Sequence, residues 1–180
     1  MNIASHVSPE QVSSLVNQVF DSETIVCFDG DVITKLAMGE AQCTITLQLN
    51  DSTDGNPARL GLHIRLTVDE ADGAIADFSL CSEEELQKCL YLLQADLLFS
   101  QLECYMSEEV LLVELSRMTT IPFQSATLEN QLEVIEADLL AVVSEWQSIC
   151  TSLQLILRGD ISTKDEVDTY LKASHPNAIN

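Results

Sequence analysis

The feature that most constrains the fold is a long apolar stripe near the C-terminus. Between residues 128 and 156, apolar side chains recur at four- and three-residue steps without interruption. The stripe consists of Leu128, Leu132, Ile135, Leu139, Val142, Trp146, Ile149, Leu153 and Ile156. This spacing predicts one amphipathic helix of about eight turns. Such a helix covers its apolar face either on its own chain or in a coiled-coil dimer. The acids along it are not balanced by Lys or Arg, which favours packing on the chain's own sheet.

Alternating apolar and polar residues predict β-strands upstream of that helix. Residues 43–49 and 60–68 alternate strictly and are separated by a turn-rich segment at 51–57. Residues 24–36 have the composition of a hairpin around Asp29-Gly30, and residues 74–80 resemble a less regular strand. We therefore expect an antiparallel meander spanning about residues 24–80, with one face on a core.

Capping signals mark two further helices. Ser8-Pro9-Glu10-Gln11 forms a capping box with Pro at the first helical position and opens a helix over about residues 9–20. Ser82-Glu83-Glu84-Glu85 opens a second helix, which we expect to end near Ser100. The apolar positions of that second helix are Leu86, Leu90, Leu93 and Leu97.

Beyond the second helix, the sequence predicts a hairpin, a break, a short final helix and a tail. Residues 102–106 and 110–115 predict a second hairpin, with a helical continuation as the alternative. Thr119–Pro122 is interpreted as a break, residues 164–173 as a short final helix, and the remainder as a tail. The sequence as a whole predicts a single α+β domain over residues 1–180, with its core at about 9–157 and the short helix and tail at 160–180.

The charge of the chain limits its partners. Against 29 acidic residues stand 8 Lys and Arg, which gives a net charge of -21. Such a field repels nucleic acid and anionic membranes and suits a partner with a basic segment. No signal peptide and no membrane span is evident, so we expect a cytoplasmic protein. The six cysteines are isolated in apolar stretches, as is typical of reduced core cysteines.

Catalytic signatures are not evident in the sequence. Of the three histidines, His6 and His175 lie near the ends, and His63 lies on the polar face of a predicted strand. Nucleotide-binding, acyl-transfer and zinc motifs are missing. Two acidic turns could attract calcium, but Leu62 stands where the calcium-binding loop needs Glu. They comprise Asp51, Asp54 and Asn56, and Asp69, Glu70 and Asp72.

Acidic residues of the long helix are interpreted as its solvated face rather than as an acid/base pair. They include Glu129, Glu133, Glu136, Asp138 and Glu145. We therefore expect no enzyme activity, no cofactor and no metal.

The order of helix, meander, helix, hairpin and long helix resembles the type III secretion chaperone-like fold. This fold occurs in class I effector chaperones of the Tir-chaperone family and in YbjN-like bacterial proteins. The resemblance covers about residues 9–157 and is best from Ser82 through Leu115 into Thr127–Leu157. The chain has extra residues around Asp51–Pro57 and after Gly159.

The resemblance implies a homodimer that holds an extended segment of a secreted effector. The second helix, with Leu86, Leu90, Leu93 and Leu97, would then lie at the dimer interface. The binding groove would come from the first helix and the exposed sheet. Two alternatives remain open: a YbjN-like protein of regulatory or other role without a secretion substrate, and a small-molecule-binding protein or enzyme that uses the open sheet face.

Overall fold

The protein combines two helices with one six-stranded antiparallel sheet in the part of the chain that the structure describes. The computed structural model describes residues 7–38, 41–51, 59–69, 90–91, 93–94, 97–98, 100–106, 111–122, 127–157, 169 and 173. The elements in chain order are α1 (Pro9–Phe20), β1 (Thr24–Val26), β2 (Val32–Met38), β3 (Ala41–Asp51), β4 (Arg59–Asp69), β5 (Gln101–Met106), β6 (Leu111–Pro122) and α2 (Leu128–Leu157). The α+β prediction is confirmed.

The sheet has the strand order β1-β2-β3-β4-β6-β5. The first four strands are neighbours in chain order, which confirms the predicted meander for residues 24–69. The pair β5 and β6 confirms the second hairpin, and its helical alternative is wrong. β6 also runs through Thr119–Pro122, where a break was expected. Thr and Ile suit a pleated strand, and Pro is tolerated at its end.

Helix α1 begins as its capping box predicts. The backbone N–H of Gln11 donates to the Ser8 hydroxyl at 3.4 Å, and the Ser8 N–H donates to the Gln11 side-chain oxygen at 2.8 Å. Pro9 occupies the first helical position, where no backbone donor is needed. These bonds satisfy N–H groups that the helix itself cannot, so the start of α1 is firmly defined.

Strands β3 and β4 show the expected two-residue period. The buried positions are Cys43, Ile45 and Leu47 in β3, and Leu62, Ile64 and Leu66 in β4. Between them, Thr44, Thr46, His63 and Arg65 are only partly buried. The sheet therefore has one covered face and one more open, polar face.

Residue contacts divide the chain into two compact units. The first comprises Met1–Leu36, Thr44–Leu66 and Ser116–Val143. Its core joins α1, the sheet and the first half of α2 through Val12, Val16, Val32, Leu36, Ile45, Leu47, Leu62, Ile64, Leu66, Ile121, Ile135, Leu139 and Val142. The buried Gln131 side chain accepts the Val7 N–H at 3.3 Å and links the start of the chain to α2.

The second unit comprises Ala37–Cys43, Thr67–Leu115 and Ser144–Asn180. Its buried apolar residues include Cys43, Leu90, Leu93, Leu97, Leu102, Val113, Leu115, Trp146 and Ile149. The Gln94 amide donates to the Ser100 carbonyl at 2.9 Å and accepts the Leu102 N–H at 2.6 Å. A single side chain thus connects a helical segment to the start of β5.

Several predicted elements lie partly or wholly outside the described residues. The strand at 74–80 and residues 82–89 of the middle helix are among them. Leu90, Tyr91, Leu93 and Gln94 are helical, whereas Leu97 and Ser100 are not, so the helical segment ends earlier than expected. Of the final helix only Thr169 and Ala173 are described, both helical. The single-domain organisation stays a prediction.

Candidate functional site

Strand β1 lies at one end of the sheet and is the centre of the candidate site. It pairs antiparallel with β2 on one side, with Thr24 opposite Thr34, Ile25 opposite Ile33 and Val26 opposite Val32. In the strand order it has no neighbour on its other side within the described residues. We call residues 24–28 the β1 edge.

The backbone of the β1 edge offers donors and acceptors to a further strand. The Cys27 N–H donates to the Asp31 carbonyl at 2.8 Å, so this position is a hydrogen-bonded pair. Such pairs alternate along an antiparallel ladder, which makes Ile25 and Ile33 the next one. The N–H and C=O groups of Thr24 and Val26 therefore point away from β2, toward the free side of the sheet.

Apolar side chains are concentrated along this edge. Ile25 is 68% exposed, Val26 is 38% exposed, and Phe28 is fully exposed. The Thr24 hydroxyl bonds to the Ser13 hydroxyl of α1, which orients Thr24 and Val26 toward the helix-covered face and Ile25 toward the open face. Single exposed apolar residues are ordinary, but here Ile25 and Val26 expose apolar side chains on opposite faces of the edge strand, and Phe28 exposes a third in the turn after it.

The turn after β1 is well ordered. The Gly30 N–H donates to the Cys27 carbonyl at 3.0 Å, and the Asp31 N–H donates to the Asp29 carboxylate at 3.3 Å. Gly30 has φ +91°, the left-handed conformation that completes a three-residue hairpin loop. Phe28 is therefore held at the tip of a defined turn.

The surroundings of the β1 edge are acidic. Residues 21–31 contain Asp21, Glu23, Asp29 and Asp31 and no Lys or Arg. Asp21, Glu23 and Asp29 are exposed, while the Asp31 carboxylate accepts the Gln48 side-chain amide at 2.5 Å. The edge thus presents apolar side chains within a negative field.

A buried ion pair lies elsewhere in the same unit, between β6 and α2. The Asp138 carboxylate accepts from the Arg117 guanidinium at 2.7 Å and 2.5 Å, and the two side chains are 15% and 8% exposed, for Arg117 and Asp138 respectively. The interpretation of Asp138 as part of a solvated face is therefore wrong. The four-three pattern of apolar residues cannot show that a carboxylate beside it faces an arginine of a distant strand.

Glu136 and Glu145 also depart from that interpretation, because both are partly buried, whereas Glu129 and Glu133 are exposed as expected. The Glu145 carboxylate is partly buried and accepts the backbone N–H of Leu98 at 2.9 Å. It anchors the segment before β5 to α2 within the second unit.

The leucines expected at a dimer interface are covered by the chain itself. Leu90, Leu93 and Leu97 are buried, and Leu86 lies outside the described residues. Among the described residues of this segment, Tyr91 and Leu98 are the exposed large apolar side chains. The dimer itself stays a prediction.

The histidines and the acidic turns considered in the sequence form no site among the described residues. His63 is partly buried on the more open face of β4, and His6 and His175 lie outside the described residues. Of the two acidic turns, only the strand ends Asp51 and Asp69 are described. The described residues hold no group of three or more metal-ligating side chains, and none of their helices is both long and apolar enough to cross a bilayer.

The described fold defines a class: an α+β protein with an open six-stranded antiparallel sheet and an exposed apolar edge strand. Comparison of the sequence with known protein families found no matching family model. No curated protein is significantly similar to it.

Proposed function

We propose that the chain is a non-catalytic protein-binding chaperone or adaptor of the type III secretion chaperone-like class, which holds an extended segment of a partner protein. The β1 edge carries this proposal, because it combines outward backbone groups with exposed apolar side chains. Adding a strand to a sheet edge is a common way to bind an extended peptide. The partner's side chains then contact alternate residues of the edge.

The two kinds of contact have different roles. Hydrogen bonds to Thr24 and Val26 hold the added strand beside β1 without regard to its sequence. Apolar side chains that cover Ile25 contribute about 1–2 kcal/mol, since two thirds of this side chain is exposed before binding. A three-residue strand offers few such contacts, so binding is modest and readily reversible.

Charge selects among extended segments. The acidic residues around the edge and the net charge of -21 attract a segment that carries Lys or Arg. The same charges oppose the pairing of two copies through this edge. A basic, partly apolar segment of another protein is therefore the preferred occupant. We further propose that the protein is cytoplasmic, that it forms a homodimer through another surface, and that its partner is a protein destined for secretion.

Synthetic peptides test strand addition directly. One labelled 12-residue peptide alternates Val or Ile with Lys, and its matched control replaces each Lys with Glu. Fluorescence anisotropy should show saturable binding of the first and none of the second. On binding, hydrogen exchange at the amides of Thr24 and Val26 should slow.

Two substitutions at one position separate backbone from side-chain contacts. Val26→Pro removes an outward N–H while leaving the ladder to β2 intact, and is expected to weaken binding at least about tenfold. Val26→Thr keeps that N–H and is expected to weaken binding only about two- to fivefold. Equal affinity of Val26→Pro and the unchanged protein, or equal binding of both peptides, would contradict the proposal.

A further inference from the structure

We infer that Phe28 is an anchor residue that inserts into an apolar pocket, rimmed by Lys or Arg, on a folded partner protein. The inference rests on the proposed function and extends it. Strand β1 takes an extended segment, whereas Phe28, in the turn after it, requires a concave surface. One partner protein must then present both an extended segment for β1 and an apolar pocket for Phe28.

Phe28 lies beyond the reach of an added strand. β1 ends at Val26, and Phe28 is in the turn that follows, so no ladder position adjoins it. Its side chain is fully exposed, even though Phe is among the residues most often buried. A projecting aromatic side chain of this kind is complementary to a pocket rather than to a flat strand.

The turn holds Phe28 in place before any partner arrives. Two backbone bonds, Cys27 to Asp31 and Gly30 to Cys27, close the loop on either side of it. The Asp29 carboxylate caps the Asp31 N–H, and a side chain added at Gly30 would already contact Pro9 of α1 at 3.5 Å. Because the backbone at this position is already fixed, only the side-chain torsions of Phe28 lose freedom on binding, which favours affinity.

The chemistry of the pocket follows from the neighbours of Phe28. Aromatic anchors dominate binding when a pocket fully removes them from water. Asp29 is exposed beside Phe28 in the same turn, and Asp21, the C-cap of α1, and Glu23 are exposed before the other end of β1. A pocket with a basic rim would be attracted to this hairpin, whereas an acidic membrane surface or a second acidic copy of the chain would be repelled.

Photo-crosslinking identifies what covers Phe28. The full chain carrying benzoylphenylalanine at position 28 is irradiated in cells that produce it naturally, with position Asn17 on the exposed side of α1 as the matched control. We expect a crosslinked folded protein at position 28 that is absent at position 17. Crosslinking only to a second copy or to lipid, or yields equal to the control, would overturn the inference.

The partner identified by crosslinking is then purified by itself, and its affinity for variants at position 28 tests the role of the aromatic ring. Phe28→Ala is expected to weaken binding at least about 30-fold, as for an anchor residue, and Phe28→Tyr no more than about threefold. Because the side chain is fully exposed, neither substitution should change the unfolding temperature. Binding of Phe28→Ala within twofold of the unchanged protein would overturn the inference.

Val26→Pro in the same assay distinguishes the two proposals. If Val26→Pro weakens binding and Phe28→Ala does not, the strand-addition proposal stands and the anchor role fails. If Phe28→Ala weakens binding and Val26→Pro does not, the anchor role stands alone and the partner does not bind by adding a strand.

Discussion

Removing one partner of the Arg117–Asp138 ion pair should destabilise the protein strongly. Asp138→Leu leaves the guanidinium of Arg117, which is only 15% exposed, without its carboxylate. Loss of one partner of a buried pair costs about 3–5 kcal/mol. Because Arg117 retains some contact with solvent, we expect the lower end, about 3 kcal/mol.

Thermal and urea unfolding measure this loss. For a protein of this size, each 1 kcal/mol corresponds to about 2–4 °C in unfolding temperature, so Asp138→Leu should lower it by about 6–12 °C. Arg117→Met should cause a similar loss, because it leaves the buried Asp138 carboxylate uncompensated. Circular dichroism under the same conditions confirms that each variant is folded before heating.

The double variant is the decisive comparison. Arg117→Met with Asp138→Leu replaces the pair by apolar groups of similar size, and such replacements are often neutral or stabilising. We expect its stability to lie within about 1 kcal/mol of the unchanged protein. If the losses instead add to about 6 kcal/mol, the two side chains act independently and the reasoning from their contact is refuted.

Three further predictions concern single residues. The Ser8 hydroxyl donates to the Glu10 carboxylate and lowers the pKa of Glu10; Ser8→Ala should raise that pKa toward its usual value in an NMR titration. The stability that this bond contributes is present above the unfolded-state pKa of Glu10 and is lost as pH falls through the folded-state pKa. If Glu10 titrates identically in Ser8→Ala, the bond is not the cause of the lowered pKa. Gly30→Ala should destabilise by about 1–2 kcal/mol in urea unfolding because φ is +91°, while Gly30→Asn should cost less; equal losses would argue against a backbone origin. Leu93→Ala should cost about 2–5 kcal/mol, whereas Tyr91→Ala should change stability little; the reverse order would place Leu93 outside the core.

Helices α1 and α2 and most of the described strands could be predicted because their signals are local. The Ser8–Gln11 capping box specifies where α1 begins through bonds between residues three apart. The alternation in β3 and β4 directly reflects which face is buried. The apolar stripe of α2 likewise records its buried side, as Ile135 and Trp146 show.

The candidate site could not be predicted, because it depends on long-range pairing. Local sequence indicates the hairpin around Asp29-Gly30, but only the strand order shows that β1 lies at an end of the sheet. The placement of β6 between β4 and β5 has no local signal either. The contact of Arg117 with Asp138 joins residues on different elements, and no periodicity links them.

The bond between Val7 and Gln131 has a consequence for folding during synthesis. The two residues are 124 positions apart, so the segment before α1 cannot form this bond to α2 until most of the chain has been translated. At typical rates of synthesis this interval lasts roughly 6–25 s. During that time the segment that leads into α1 is without its bond to α2, so the emerging polypeptide should depend on ribosome-associated factors more than a protein with only sequential contacts.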